Sequence, residues 1–160
     1  MKSETEIQAA MDRYGDMVEK ICRLHLAQDA DVQDVFQTVF LKYAQSRMFR
    51  DDEHEKAWLL KVTMNTCRDR FRGCFFHHVQ LDDTIEEYSG EVNTSFYLLD
   101  ALKQLPAHYR NALYLFYYEG YKVKEIAAIL HKKENTIHTW LKRGKRELRE
   151  VLGGDYDDFR

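Results

Sequence analysis

The sequence has few residues that break helices, with one proline and seven glycines among 160 residues. A turn-rich β architecture needs more of both, because proline and glycine supply the backbone conformations of tight turns. Apolar residues make up 44% of the chain and charged residues 32%, which is an ordinary globular composition and excludes a disordered chain. The scarcity of breakers therefore predicts long helices and an all-α fold.

Cysteine and long apolar runs are also scarce. The three cysteines, Cys22, Cys67 and Cys74, form no CxxC pair, and their odd number fits a reducing compartment better than a disulfide scaffold. No signal-peptide pattern and no apolar run of about 18 residues is present, so we expect a cytoplasmic protein without direct membrane insertion. The sequence also lacks a glycine-rich phosphate loop, an HExxH motif and a nucleophile motif, which predicts no enzyme activity, cofactor, metal or small-molecule substrate.

Excess positive charge is missing too, since the net charge is −3, and this alone argues against a nucleic-acid binder. The charges are unevenly distributed, however. Residues 1–34 contain four basic and eight acidic side chains, residues 56–72 five basic and one acidic, and residues 132–149 seven basic and two acidic. Alternating acidic and basic segments indicate contacts with both a protein partner and a polyanion.

Apolar periodicity predicts three helices in the first half of the chain, at about 4–27, 29–47 and 54–72. The middle helix has the clearest stripe, formed by Val32, Val35, Phe36, Val39, Phe40 and Tyr43. Either Asp29 or Asp31 is expected to cap its N-terminus.

The second half of the chain begins after a segment of different character. Residues 73–95 contain five acidic residues and no lysine or arginine, which predicts a linker between two helical units. Four further helices are predicted, at about 95–104, 106–118, 122–130 and 134–151. Pro106 is expected at the first position of the second of these, and Gly120 is expected to end it.

The last two predicted helices have the spacing of a helix-turn-helix. Ile126, Ala127 and Leu130 form the apolar side of the first, and Ile137, Leu141 and Leu148 that of the second, with a turn of three or four residues between them. The second helix then presents side chains suited to phosphates and base edges: Asn135, Thr136, His138, Thr139, Lys142, Arg143 and Arg146. The alternative is a plain helical hairpin with a solvated basic face.

Several ordered motifs carry a family resemblance. The segment "ALKQLPAHYRNALYLFYYEGYKVKEIAAILHKKENTIHTWLKRGKRELREVL" resembles the −35 recognition domain of extracytoplasmic-function sigma factors, through Leu105-Pro106, Glu119-Gly120, Glu125-Ile126-Ala127 and Thr136-Ile137. In the first half, "DADVQDVFQTVFLKYAQ" resembles the family's polymerase-docking helix, and "KAWLLKVTMNTCRDRFR" resembles the helix that melts and reads the −10 element.

The resemblance implies an alternative sigma factor that binds core RNA polymerase and promoter DNA, both double-stranded and melted, with an anti-sigma factor as a further partner. It implies an N-terminal domain at 1–73, a linker at 74–95, a C-terminal domain at 96–152 and a tail at 153–160. Polymerase docking is assigned to Asp34, Gln37, Thr38 and Phe40, and −10 recognition to Asn65, Arg68, Asp69 and Arg72. The loop 48–52 would receive an extruded base. Trp58 and Phe71 either stack on bases or pack in the core.

The sequence departs from the family pattern at five positions. Thr38 replaces an acidic residue in the docking helix. In the helix-turn-helix, His131 replaces a glycine, and Lys133 replaces a serine or threonine cap, so Asn135 is expected to cap instead. Trp140 replaces an arginine, and Gly144 replaces an alanine at an expected cost of about 1 kcal/mol in a helix interior. These departures leave the fold intact but make the −35 sequence preference uncertain.

Three other functions compete with this interpretation. A helix-turn-helix regulator acting without polymerase would need only the C-terminal half, and binding to core polymerase distinguishes the two. A zinc site would use Cys67, Cys74, His77 and His78, although their spacing fits no common pattern and a metal assay would decide. A sigma-like scaffold that sequesters an anti-sigma factor is the third. In the free protein, the acidic linker is also expected to shield the basic helices.

Overall fold

A computed structural model describes residues 1–77 and 94–153, with side chains described for 1–70 and 98–153. The chain divides into two units, Met1–Glu86 and Glu87–Arg160. The helices are α1 (Glu4–His25), α2 (Asp29–Ala44), α3 (Asp52–His77), α4 (Thr94–Lys103), α5 (Ala107–Leu113), α6 (Val123–Leu130) and α7 (Glu134–Val151), with a π-helical turn at Tyr114–Tyr118. This confirms the all-α fold with two helical units. Within the described residues, no helix is both long and apolar enough to cross a membrane.

Helices α1, α2 and α3 form a bundle in the N-terminal unit, and each packs against the other two. The predicted stripe of α2 faces its core, with Val32, Val35 and Val39 fully buried. Ser3 and Glu6 form a capping box at the start of α1, in which each side chain bonds the backbone N–H of the other residue. The inner faces of the three helices therefore form the core of the N-terminal unit, and the outer faces of α2 and α3 are exposed to solvent.

In the C-terminal unit, α5 and α6 both pack against α7. Arg110 fixes the turn before α5, because its guanidinium donates to the carbonyl oxygens of Leu102, Lys103 and Leu105 at 2.8 to 3.0 Å. After the π-helical turn, Gly120 takes a positive φ of 76°, which is consistent with its predicted role in ending the helix.

The predicted end of α3 and the predicted start of α5 both differ from the structure. Helix α3 continues through Gly73 to His77, so the predicted start of the linker lies inside a helix. A single glycine costs a helix only about 1 kcal/mol, too little to end it without a second breaker. The remaining predicted linker, 78–93, lies outside the described residues. Pro106 is the residue before α5 rather than its first residue.

The predicted caps of α2 and α7 are also wrong. Gln28 and Lys133 occupy the two N-cap positions, and neither makes a side-chain cap bond. Asp29 and Asp31 lie in the first turn of α2, where their carboxylates pair with arginines of other segments. Asn135 lies in the first turn of α7. Acidic residues in the first turn, Asp29 and Asp31 in α2 and Glu134 in α7, still interact favourably with the positive end of the helix dipole.

Candidate nucleic-acid interface

The turn between α6 and α7 has the geometry of a helix-turn-helix. His131 adopts the left-handed conformation at φ 57° and ψ 50°, the conformation that a glycine in this place would take without strain. The N–H of Lys132 donates to the carbonyl oxygen of Ala127 at 2.9 Å and closes the turn. The histidine therefore preserves the tight turn despite replacing the family's glycine.

Helix α7 has one buried face and one exposed face. Ile137 and Leu148 are buried, while Leu141 is half-buried at the edge of the contact. Six of the seven predicted −35 residues are exposed, and we call them the α7 basic face: Asn135, His138, Thr139, Lys142, Arg143 and Arg146. The seventh, Thr136, is half-buried.

Around Thr136, an open groove is lined by residues of the turn: Ala127, His131, Lys132 and Lys133. Among the described residues, no carboxylate forms an ion pair with Lys142, Arg143 or Arg146. Exposed cations that lack such partners are available to neutralise phosphates, and the exposed His138 and Thr139 add groups that hydrogen-bond base edges.

Two of the residues that depart from the family pattern, Trp140 and Gly144, lie where α7 packs against α5. The Trp140 ring packs against His108 of α5, with ring centroids 5.1 Å apart. Gly144 is buried where α7 crosses α5, and a Cβ at this position would lie 3.1 Å from both Leu113 Cδ1 and Tyr109 Cβ. Glycine thus permits a close approach of the two helices, which the sequence alone presents only as a cost.

The predicted docking residues of α2 fall into two groups. Asp34 and Gln37 are exposed. Thr38 is half-buried, and its hydroxyl donates to the carbonyl oxygen of Asp34 at 2.8 Å. Phe40 is only 4% exposed and packs in the bundle core, so its assignment as a surface contact is wrong. The Phe40 ring contacts those of Phe36 and Tyr43 on the same helix, and all three belong to the aromatic side of the bundle core.

The predicted −10 residues lie on α3. Arg68 and Asp69 are exposed and adjacent, with 3.5 Å between guanidinium and carboxylate, and Asn65 is half-buried. The side chain of Arg72 lies outside the described residues, as does that of Phe71. The residues on one turn of the exposed side therefore combine a cation, a carboxylate and an amide, which suits contacts with unpaired bases and phosphates.

In the segment before α3, an exposed methionine is followed by a phenylalanine that packs against the bundle. Met48 is 90% exposed. The next residue, Phe49, is half-buried and packs against Tyr43 at 6.0 Å and Trp58 at 5.4 Å between ring centroids. Trp58 is half-buried and packs against the core in this cluster, which agrees with the core-packing alternative for this residue. At the start of α3, the carboxylate of Asp51 accepts from the N–H of His54 at 2.7 Å.

The sequence analysis did not identify Arg70, a charged residue that connects α3 with α2. Arg70 of α3 donates to the carboxylates of both Asp31 and Asp34 on α2. The partners are 39 and 36 residues apart, and no local spacing rule connects residues so far apart. Only the alternation of acidic and basic segments gave an indication of such pairing.

The cysteine cluster considered as a zinc site is not assembled in the described residues. Cys67 is buried in the bundle, and its thiol is hydrogen-bonded to that of Cys22; this bond and burial raise the pKa of Cys67. Cys74 and His77 have no described side chains, and His78 lies outside the described residues. Among the residues that the structure does describe, no three potential ligands come together to hold a metal.

The fold and these surfaces define a class of protein: a DNA-binding factor of two helical units, with a basic face on the helix-turn-helix and an exposed carboxylate, Asp34, on α2. The family description "Sigma-70 region 2" matches residues 10–73, and "Sigma-70, region 4" matches residues 95–148. RNA polymerase sigma factor SigV of Bacillus subtilis is 31% identical over 126 residues, which cover 76% of this chain and 76% of SigV. The ECF RNA polymerase sigma factor SigM of Mycobacterium tuberculosis is 26% identical over 145 residues, covering 88% of this chain and 74% of SigM.

Two solved structures have a similar fold. The sigma factor RpoE from Bartonella quintana, in complex with the anti-sigma factor NepR, superposes with a TM-score of 0.72 at 18% identity, covering 94% of this chain and 99% of that one. CnrH, in complex with the cytosolic domain of CnrY, gives a TM-score of 0.65 at 20% identity, covering 96% and 92%.

The chain belongs to the extracytoplasmic-function sigma factors of the sigma-70 family. It is an alternative sigma factor, which binds core RNA polymerase and directs the initiation of transcription at promoters.

Proposed function

We propose that the two units divide promoter recognition between them. The N-terminal unit docks on core polymerase and reads melted −10 DNA, and the C-terminal unit reads the double-stranded −35 element. The observation that supports this division most strongly is the α7 basic face, an exposed set of cations and hydrogen-bonding groups on the second helix of a helix-turn-helix.

In this proposal, α7 enters the major groove of the −35 element. Lys142, Arg143 and Arg146 neutralise phosphates or contact guanine edges. His138 and Thr139 contact base edges near the N-terminal end of the helix, where recognition helices approach bases most closely. The open groove around Thr136 lies beside the same end of α7 and accommodates the DNA backbone.

Helix α3 binds the melted −10 strand through Asn65, Arg68, Asp69 and Arg72. A cationic helix attracts the strand backbone, while amide and carboxylate groups read the edges of unpaired bases. Met48 and the segment after it receive an extruded base, and the packing of Phe49 against Trp58 keeps this segment in a fixed position.

The outer face of α2 docks on core polymerase through Asp34, Gln37 and Thr38. Asp34 is the charged member of this set, so its partner on the polymerase is a cation. Because it acts together with RNA polymerase, the protein is proposed to act in the cytoplasm. It is also proposed to perform no covalent chemistry of its own. An anti-sigma factor is a further partner, as the similar fold of the sigma factor RpoE, solved with the anti-sigma factor NepR, suggests.

Binding measurements with core polymerase and promoter DNA test this function. The full chain is added to labelled polymerase and, separately, to labelled duplex DNA from its own genome. We expect binding to polymerase with nanomolar affinity and sequence-specific DNA binding only in the polymerase complex. A chain that binds specific duplexes alone and ignores polymerase would instead be a helix-turn-helix regulator.

A further inference from the structure

The residue two positions before α1 contacts the end of α2 and the segment that follows it. The backbone N–H of Lys2 donates to the carbonyl oxygen of Ala44 at 2.9 Å. The side chain of Lys2 lies over the rings of Tyr43 and Phe49, with Nζ 5.0 Å from the centroid of each ring. A single residue therefore connects the start of α1 with α2 and with the segment before α3.

The position of Lys2 is set by its neighbours. The capping box of Ser3 and Glu6 fixes the residue next to it, so less conformational entropy is lost when Lys2 binds Ala44. Lys2 is half-buried, and no carboxylate in the described part of the chain forms an ion pair with its ammonium. Attraction between the ammonium and the negative faces of the two rings therefore holds the side chain in place.

The two rings below Lys2 support the segment that is proposed to receive an extruded base. Tyr43 is buried in the bundle, and its ring stacks on that of Phe49 at 6.0 Å between centroids, with 15° between the planes. Phe49 is directly followed by the rest of the segment and directly preceded by Met48, which is 90% exposed. The position of Phe49 therefore determines where Met48 can reach.

Helix α1 also holds the other end of this segment. The guanidinium of Arg13 pairs with the carboxylate of Asp52 at 3.0 Å, and the hydroxyl of Tyr14 donates to the carbonyl oxygen of Asp52 at 3.4 Å. Residues 48–52 are thus bound at one end by Lys2 and at the other by α1. Contacts at both ends order the segment before DNA binds.

We propose that Lys2 is a positioning residue for base capture, which holds Phe49 and thereby Met48 where residues 48–52 receive the extruded base. This inference rests on the role proposed for that segment. A site that is ordered beforehand loses less conformational entropy when its ligand binds. Removal of the Lys2 cation leaves Phe49 with fewer contacts, so it weakens capture of this base and leaves the other DNA contacts unchanged.

Removal of single bases from the DNA identifies the base that the segment receives. Polymerase holoenzyme formed with the full chain is titrated with fluorescently labelled single strands that carry the −10 sequence of a promoter mapped by run-off transcription. Each strand lacks one base in turn. We expect one position at which loss of the base lowers wild-type affinity about tenfold, as loss of one base contact implies, and at which Met48→Ala loses less.

The role of Lys2 is tested with the same strands. Lys2→Gln removes the cation and keeps the backbone N–H, and it should bind the intact strand about two- to fivefold more weakly, the effect of losing an exposed cation–π contact. On the strand that lacks the received base, Lys2→Gln and the wild type should bind alike, because no base remains to be captured. Lys2→Arg keeps a cation over the rings and should bind both strands like the wild type.

Three results would overturn the positioning role. One is an equal loss by Lys2→Gln on the intact and the abasic strand, and another is a failure of Lys2→Arg to bind like the wild type. The third is a log–log salt dependence shallower by about 0.7 in Lys2→Gln, which would make Lys2 a phosphate contact instead. Lys103→Gln makes the same charge change on an exposed position of α4 and should bind both strands like the wild type. Circular dichroism melting confirms that each variant is folded.

The Met48→Ala titration separates this inference from the role proposed for residues 48–52. If the effect of one missing base depends on Met48 and not on Lys2, the segment receives a base and the inference about Lys2 is overturned. If the effect of no missing base depends on either residue, the base-receiving role fails and the inference fails with it.

Discussion

The two units carry arginines in different electrostatic settings. In the N-terminal unit, Arg13, Arg23 and Arg70 each pair with a carboxylate of another segment, at 2.7 to 3.0 Å. On α7, Arg143 and Arg146 have no such carboxylate among the described residues. A carboxylate paired with an arginine partly neutralises it and weakens its attraction for a phosphate. An arginine without such a partner attracts a polyanion with its full charge. The difference indicates that Arg143 and Arg146 of α7 have more positive charge available to a polyanion than the three paired arginines of the N-terminal unit.

The largest expected effect is on polymerase binding. Asp34→Lys places a cation where we propose that a polymerase cation docks, and it should weaken binding to core polymerase about 10- to 100-fold. Titration of labelled polymerase measures the change. Asp16→Lys on the exposed side of α1 is the matched control and should bind polymerase like the wild type. If Asp34→Lys and Asp16→Lys weaken binding equally, the affinity for polymerase depends on the overall charge of the protein and not on a contact with Asp34.

Reversing one charge on α7 should affect DNA instead. Arg143→Glu should weaken binding of polymerase holoenzyme to its −35 duplex by about tenfold, since one favourable contact becomes repulsive. Electrophoretic mobility shifts measure this effect. Lys103→Glu makes the same charge change on an exposed position of α4 and should have little effect. Equal losses from both variants would count against α7 as the recognition helix.

Gly15 and Gly144, which are buried helical glycines among the described side chains, should respond in opposite ways to substitution by alanine. Gly15→Ala in α1 should stabilise the protein by about 0.5 to 1 kcal/mol, because the new Cβ would meet only Phe36 at an ordinary 3.7 Å. Gly144→Ala should destabilise it by about 1 kcal/mol, because Tyr109 Cβ, 3.1 Å away, cannot move without its backbone. Urea denaturation measures both changes. Stabilisation by Gly144→Ala would show that α5 and α7 separate at little cost.

The smallest expected effect is at the turn of the helix-turn-helix. His131→Gly should stabilise the C-terminal unit by about 0.5 kcal/mol, since it relieves a left-handed residue at the cost of some additional chain entropy in the unfolded state. Thermal melting followed by circular dichroism measures it. A lower melting temperature would mean that the histidine side chain stabilises the turn by more than its backbone strain costs.

Apolar periodicity predicted the helices well because the same residues that define the pattern form the cores. The stripe from Val32 to Tyr43 is buried as predicted. The same stripe placed Phe40 inside, in conflict with the family resemblance, and the structure agrees with the stripe. The end of α3 was not predictable from Gly73, since a weak local breaker is overridden when the flanking residues continue the helix.

Contacts between distant segments were the part that local rules could not predict. The pairing of Arg70 with Asp31 and Asp34 needs α2 and α3 to be packed before these residues meet, and the close approach at Gly144 needs α5. The exposed residues of α7, in contrast, could be named from sequence because burial of Ile137 and Leu148 fixes the opposite face of a helix. Roles for the exposed residues remain predictions for the experiments above.

Run-off transcription tests the central claim most directly. Purified core polymerase is incubated with fragments of the source genome, with and without the protein, and with the Asp34→Lys and Arg143→Glu variants. The account predicts discrete new transcripts with the wild type, fewer with either variant, and a loss with Asp34→Lys that excess DNA template does not restore. No new transcript on any template would contradict a role in promoter-specific initiation.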